Sequence, residues 1–325
     1  MNVNSVILFG LLMISNTMLS QKEMIQPPFL KAGDTIAIVA PAGILNNRIQ
    51  EVRDAVSLLK SWGLNAVVGK NVFNNGGHFA GTDQERCADF QLALDNPNIK
   101  AIWAARGGYG SVRVLDLLDY TKFKDHPKWI IGYSDITAFH NQINVLGFQS
   151  LHSIMCTSVT NELKENPQSA LTFKKALFGE NLSYNLETSN YNKFGEAKGQ
   201  LVGGNLAILT SMLGSKTSLY TKGKILFIEE IGEYAYSIDR MLQSLKRAGY
   251  FKDCAGLIIG DISKVKKNTT KFGKPVKQII LDVVADYNFP VAFNMKAGHK
   301  PDNRALIFGK VVELKVSENE SLVKF

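Results

Sequence analysis

Thr35-Ile36-Ala37-Ile38-Val39-Ala40-Pro41-Ala42-Gly43 is a short apolar run closed by turn residues, and it follows the turn-rich stretch Pro27 to Asp34. Its length, β-branched content and Pro/Gly boundary read as a buried strand. Outward from it, Asn47 to Trp62 places Val52, Val56 and Leu59 at helical spacing, with Gly63 as a stop. Asn65 to Val68 then reads as a short strand, Thr82-Asp83-Gln84-Glu85 opens a helix running to Leu94, and Ile99 to Ala104 is a further strand. Strands alternating with helices require right-handed crossovers and build a mostly parallel sheet, so the fold class is α/β. Sheets of this kind carry ligand groups in the loops at the carboxyl ends of their strands.

The whole chain has 325 residues, 45% apolar and 20% charged, a balance that excludes disordered and fibrous architectures. Its 37 basic and 29 acidic side chains leave a net charge of +8. The densest basic stretch, Lys264, Lys266, Lys267, Lys271 and Lys274, reads as a solvated loop between strands. A nucleic-acid partner is not expected, because such a partner needs a basic face with readout groups. Cys87, Cys156 and Cys254 are far apart with no CxxC, which gives neither a disulfide framework nor a thiolate zinc site. Met1 to Ser20 has no charged side chain and contains the apolar run Val6 to Ile14. That run is too short to span a bilayer, which takes about twenty residues. It fits the core of a signal peptide occupying residues 1–20, with an exported, periplasmic mature protein. No Cys follows it as a lipid anchor, so no stable membrane anchor is expected.

Two loops have chemical potential. Ala105-Arg106-Gly107-Gly108-Tyr109-Gly110-Ser111 lies between a strand and the helix Val112 to Leu118, and its glycines let backbone N–H groups approach an anion. It matches neither the Walker loop nor GxGxxG, and a tight turn without function explains it equally well. In Trp129-Ile130-Ile131-Gly132-Tyr133-Ser134-Asp135-Ile136-Thr137 an apolar strand runs straight into a helix. A Ser at such a turn projects its hydroxyl above the sheet beside helix-start N–H groups, yet Ser134 reads as readily as an N-cap.

The pattern loosens across residues 159–198 into Asn- and Lys-rich sequence, read as a linker between an N-terminal domain (27–158) and a C-terminal domain (199–325). The latter opens with Gly199-Gln200-Leu201-Val202-Gly203-Gly204-Asn205. Strand Lys224 to Glu230, helix Ser237 to Ala248, strands Gly256 to Asp261 and Pro290 to Asn294, and the final strands Ala305 to Phe308 and Val311 to Val316 follow.

Taken in order, Gly33 to Ala42, Arg106-Gly107-Gly108-Tyr109-Gly110, Gly132-Tyr133-Ser134-Asp135, Gly199 to Asn205, Phe227-Ile228-Glu229-Glu230-Ile231-Gly232-Glu233, Tyr236 to Leu242 and Gly298-His299 resemble the serine LD-carboxypeptidase family. This is the family of the muramoyl-tetrapeptide carboxypeptidases, and its relatives include microcin-immunity peptidases. The resemblance covers nearly all of Phe29 to Leu314. It implies a flavodoxin-like or Rossmann-like N-terminal domain, a C-terminal domain with a small β-barrel-like sheet, and a homodimer. It implies Ser134 as nucleophile, His299 as general base and Glu229 as the acid orienting it, with Gly108 and Asp135 as oxyanion donors. It further implies release of terminal D-alanine from a muropeptide tetrapeptide. Arg106 is then a reasonable binder for the free carboxylate, and Gly203, Gly204 and Asn205 are expected to shape the pocket. Ser237 departs from the Arg that many relatives carry there. Neither metal nor cofactor is required.

Each role has a rival. His78, His126, His140 and His152 compete with His299. Glu229 and Glu230 are adjacent in a strand, so their side chains leave opposite faces and only one can meet the histidine. Asp135 also reads as a plain helix-start acid. At the level of function, the same triad acting on a peptidyl-nucleotide antibiotic, a non-enzymatic exported two-lobe binding protein, and nucleotide binding at Arg106 to Ser111 are the alternatives.

Overall fold

The computed structural model describes residues 23–160 and 166–325; the expected signal peptide lies outside them. Strands β1 (Thr35–Val39), β2 (Asn65–Val68), β3 (Ile99–Ala104), β4 (Trp129–Gly132) and β5 (Ser150–His152) form a parallel sheet in the order β5-β4-β3-β1-β2. This is the flavodoxin order, in which the loops after β1 and β3 flank a topological switch point. Helices α1 (Ile49–Ser61), α2 (Asp83–Asp95), α3 (Ser111–Leu115), α4 (Thr121–Asp125) and α5 (Thr137–Val145) intervene. The start read at Thr82 is a full capping box: Thr82 Oγ1 accepts from Glu85 N at 3.2 Å, and Glu85 Oε2 accepts from Thr82 N at 2.8 Å.

The described part of residues 159–198 is not a loose linker. It contains α6 (Pro167–Phe178), β6 (Ser183–Leu186) and the start of β7 (Gly195–Asn205). The helix belongs to the main core, where Phe173 packs against Trp62 and Trp103 with ring centroids 5.6 and 5.1 Å apart. The remaining elements are α7 (Leu206–Ser211), β8 (Ile225–Ile231), α8 (Ala235–Arg247), β9 (Gly256–Ser263), α9 (Val276–Val283), β10 (Val291–Ala292), β11 (Leu306–Phe308), β12 (Val311–Val316) and β13 (Ser321–Lys324).

The second sheet has the order β10-β9-β8-β7-β12-β13-β6. β7 joins its two kinds of pairing: Gly195 to Gln200 run antiparallel to β12, and Leu201 to Asn205 run parallel to β8. A bridge from Lys193 to Val291 ties the segment before β7 to β10 at the far edge, which curls the sheet toward closure. β11 leaves this half altogether and pairs antiparallel with β5. The two halves therefore share a strand as well as a core, and the Gly298-His299 loop, a few residues before β11, is held over the carboxyl end of the first sheet.

Candidate active site

Ser134 follows β4 at the strand-to-helix turn with φ 61°, a left-handed conformation that non-glycine residues rarely adopt. The turn is tight because Gly132 leaves room for it: a Cβ there would lie 2.7 Å from Ile136 Cγ1. The hydroxyl is thereby lifted off the sheet, as in a nucleophile elbow without the GxSxG sequence.

His299 meets it from the other half. His299 Nδ1 lies 2.7 Å from Glu229 Oε2, and Nε2 lies 2.9 Å from Ser134 Oγ. An ionised carboxylate only accepts, so Nδ1 holds the proton and donates to Glu229, leaving Nε2 to accept from the Ser134 hydroxyl. Glu229 is fully buried and the imidazole is 13% exposed. Burial pulls the histidine toward its neutral form, but the hydrogen bond and charge of Glu229, with Glu230 and Asp261 behind it, outweigh this and raise its pKa above the ordinary value.

Glu230 leaves the opposite face of β8. Its Oε1 accepts from Asn205 Nδ2 and Ile231 N at 3.1 and 2.8 Å, and its Oε2 accepts from Ala207 N at the start of α7, 2.8 Å away. Burial pushes its carboxyl up to about 7. Of the rival histidines, His140 and His152 are fully buried among aromatic rings, and burial holds His140 neutral down to about 4. His78 packs against Phe79 and Tyr109. None of these is the partner of Ser134.

Ser134 and His299 line a cavity of about 610 Å³ whose wall includes Arg106, Gly107, Gly108 and Tyr133. Gly107 lies close to the hydroxyl, since a Cβ there would be 3.6 Å from Ser134 Oγ. Arg106 is half-buried and donates to the Ile44 carbonyl. The wall also carries Arg48, Lys264 and Lys300, so with Arg106 four cations surround the site and no carboxylate lines it among the described residues. Lys264 stands exposed in the loop after β9, as read from the sequence, and that loop borders the site.

Three pocket expectations are corrected. Gly203, Gly204 and Asn205 do not line this cavity. The glycines let β7 approach its neighbours: a Cβ on Gly203 would sit 1.9 Å from Phe227 O, and one on Gly204 would sit 2.4 Å from Thr137 Oγ1. Asn205 caps α7, accepting from Ile208 N at 3.2 Å, while its own N–H donates to Thr137 Oγ1 at 2.9 Å. The Asp135 side chain is buried, with Oδ2 accepting from Ser111 N at 2.8 Å, and so ties the Arg106–Ser111 loop to the Ser134 turn.

Sequence reasoning missed Asp261. Its N–H donates to Ala297 O at 2.9 Å, and its carboxylate holds Lys300 N and Nζ, both at 3.3 Å, so the histidine loop is fastened to β9. The only local signal was an acid at the end of an apolar strand. Arg48 and Tyr133 carried no signal of their own. The Tyr133 ring lies edge-on to the imidazole, 5.0 Å between centroids. Among the described residues no group of His, Cys, Asp or Glu side chains converges as a metal site.

A hydroxyl, an imidazole and a carboxylate in sequence, at the carboxyl end of an α/β sheet, define a serine hydrolase. Models of the LD-carboxypeptidase N-terminal and C-terminal domains match residues 36–153 and 198–314. A probable murein peptide carboxypeptidase of Bacillus subtilis is 32% identical over 302 residues, 92% of this chain and 94% of the other. The chain belongs to the LD-carboxypeptidase family and is a serine-type enzyme of that family. The muramoyltetrapeptide carboxypeptidase from Oxalobacter formigenes superposes with a TM-score of 0.81 at 27% identity, covering 89% of this chain and 98% of that one. The microcin C7 self immunity protein shares the fold, with a TM-score of 0.80 at 21% identity over 93% and 98% of the two chains.

Proposed function

We propose that the protein removes the terminal D-alanine from murein tetrapeptides by cleaving the bond that follows an L-configured centre. The observation that carries this reading is the unbroken relay Ser134–His299–Glu229, with 2.9 and 2.7 Å steps, set in a cavity lined with cations. Ser134 Oγ attacks the scissile carbonyl while its proton passes to His299 Nε2, and Glu229 stays ionised and stabilises the imidazolium. The developing oxyanion is taken by the N–H groups of Gly108 and Asp135. Collapse expels the D-alanine amine, which receives the proton from His299. Water, deprotonated by the same nitrogen, then hydrolyses the acyl ester on Ser134. Arg106 holds the free carboxylate of the leaving residue, with Arg48 adding positive charge on the same side.

An exported location, conferred by the apolar run in residues 1–20, suits a substrate derived from the cell wall, and a homodimer is the expected assembly. The decisive assay is mass-spectrometric detection of D-alanine from a purified muropeptide tetrapeptide. Wild type releases it; Ser134→Ala retains the fold and releases none. Undiminished release by that variant would remove Ser134 as nucleophile. The fold shared with the microcin immunity protein supports a second reading, the same triad acting on a peptidyl-nucleotide, and a parallel assay on such a conjugate separates the two.

A further inference from the structure

A second cavity of about 710 Å³ adjoins the first, and Lys300 and Pro301 belong to the walls of both. It lies behind the triad: a Cβ on Gly298 would stand 2.9 Å from Asp261 Cβ, which lines this second cavity, and 3.0 Å from Glu229 Oε2. Its size is that of a site for a sizeable small molecule or a few residues of peptide.

Its charges are unevenly partnered. Glu187 pairs with Lys296 at 3.0 Å, Asp261 with Lys300 at 3.3 Å, and Asp302 with Arg304 through two contacts of 3.0 Å. Lys277, at the start of α9, makes no ion pair within 4 Å among the described residues, the charge of Glu187 reaching it only from further off. Its ammonium donates to Asn294 Oδ1 at 2.7 Å and lies over the rings of Phe293 and Tyr191, 5.5 and 6.0 Å from their centroids. Asn294 is fixed for this contact: it sits at φ 69° and its Nδ2 donates to Glu187 O at 3.1 Å. A half-buried ammonium held by a neutral amide over aromatic walls is a preformed anchor for an anion, and the positive end of α9 adds to it.

We propose that this cavity is the acyl-side subsite of the enzyme, in which Lys277 and Asn294 hold a carboxylate carried by the substrate upstream of the scissile bond, while Phe293 and Tyr191 cover its aliphatic portion. The inference rests on the peptide-cleaving reading above. A carboxypeptidase that places a single terminal residue against Arg106 must hold the rest of its substrate elsewhere, and this cavity is the neighbour of the triad's own, with Lys300 and Pro301 lining both.

The test compares a free tetrapeptide stem with its analogue amidated at the carboxylates upstream of the scissile bond, using wild type, Lys277→Met and Lys277→Arg. Amidation lowers wild-type kcat/KM about tenfold, chiefly through KM, the size of one lost charge-assisted contact. Lys277→Met loses a similar factor on the free stem and no longer discriminates between the two substrates, while Lys277→Arg retains the preference. The proposal is overturned if Lys277→Met keeps the wild-type ratio between free and amidated stems, or loses the same factor on both. Absence of D-alanine release from either stem by wild type is a different result, since it overturns the peptide-cleaving reading and this subsite with it.

Discussion

Glu229 and Glu230 are consecutive residues of one strand, and their carboxylates serve opposite sides of it: Glu229 accepts from His299 Nδ1 at 2.7 Å, while Glu230 binds the start of α7 through Ala207 N at 2.8 Å. In the proposed mechanism one carboxylate therefore serves the chemistry and the other the scaffold. Glu229→Gln replaces a carboxylate that can only accept by an amide that can also donate to Nδ1 and so favours the wrong tautomer, and kcat falls by about a thousandfold to ten-thousandfold. Glu230→Gln keeps the relay and acts on stability instead. The folded pKa of Glu230 is raised to about 7 from the ordinary 4.5, so the native state holds a proton that the unfolded state has lost. Wild-type stability therefore falls as pH rises between about 4.5 and 7, by a few kcal/mol at most. Melting curves across that range show the slope in wild type and a flatter profile in Glu230→Gln.

His299 sets the acid side of the activity profile. It must be neutral at Nε2 to take the Ser134 proton, and its pKa lies above the ordinary 6.5 because Glu229, Glu230 and Asp261 together outweigh its burial. Activity is thus fully present above that raised value and is lost as pH falls through it. A kcat/KM profile whose acid limb lies below 6.5 contradicts this assignment. In Asp261→Asn one of the raising charges is gone, and the limb moves to lower pH while its shape is kept.

Much of this was legible in the sequence because the first half consists of apolar runs with clean boundaries. Thr35 to Ala40, Ile99 to Ala104 and Trp129 to Gly132 each become a parallel strand of the first sheet. Helix α6 was hidden by composition, although its punctuation was present: Asn166 caps it, Pro167 occupies the first turn and Gly179 ends it at φ 79°. Strand β6 alternates, but with Ser and Asn on its outer face, so it resembles a polar loop until β13 pairs with it. α9 carries Val276, Ile279, Ile280 and Val283 at helical spacing, but all four are β-branched, which weakens the helix signal of so short a segment. At the site, the resemblance supplied Ser134, Glu229 and His299, yet nothing local in the sequence told Glu229 from Glu230. That choice depends on which face of β8 turns toward a loop 70 residues later, a tertiary fact.

Gly204→Ala tests whether the two halves are braced at β7. The new methyl would lie 2.4 Å from Thr137 Oγ1 and 2.5 Å from its Cγ2, at a φ of 139° that alanine avoids. Thr137 cannot simply rotate away, because Oγ1 accepts from Asn205 N. The variant loses about 3 kcal/mol through overpacking and backbone strain together. Thr137 begins the helix that follows Ser134, so kcat falls alongside the melting temperature. Wild-type stability in this variant would mean that β7 and α5 do not meet as described.

Ser134 offers a direct measure of what the site costs the fold. At φ 61° any side chain crowds its own backbone, a penalty of about 1–2 kcal/mol that glycine escapes. Ser134→Ala and Ser134→Gly both remove the hydroxyl and its bond to His299, so both are inactive and that loss cancels in the comparison. What remains is the left-handed strain, offset in part by the greater freedom of glycine in the unfolded chain, about 0.5–1 kcal/mol. Ser134→Gly is therefore the more stable of the two by roughly 0.5–1 kcal/mol, a shift of about 1–4 °C in melting temperature for a chain of this size. Thermal unfolding of the pair in the same buffer reads the difference. A Ser134→Ala variant as stable as Ser134→Gly would show that the turn is relaxed and that the nucleophile is presented without strain.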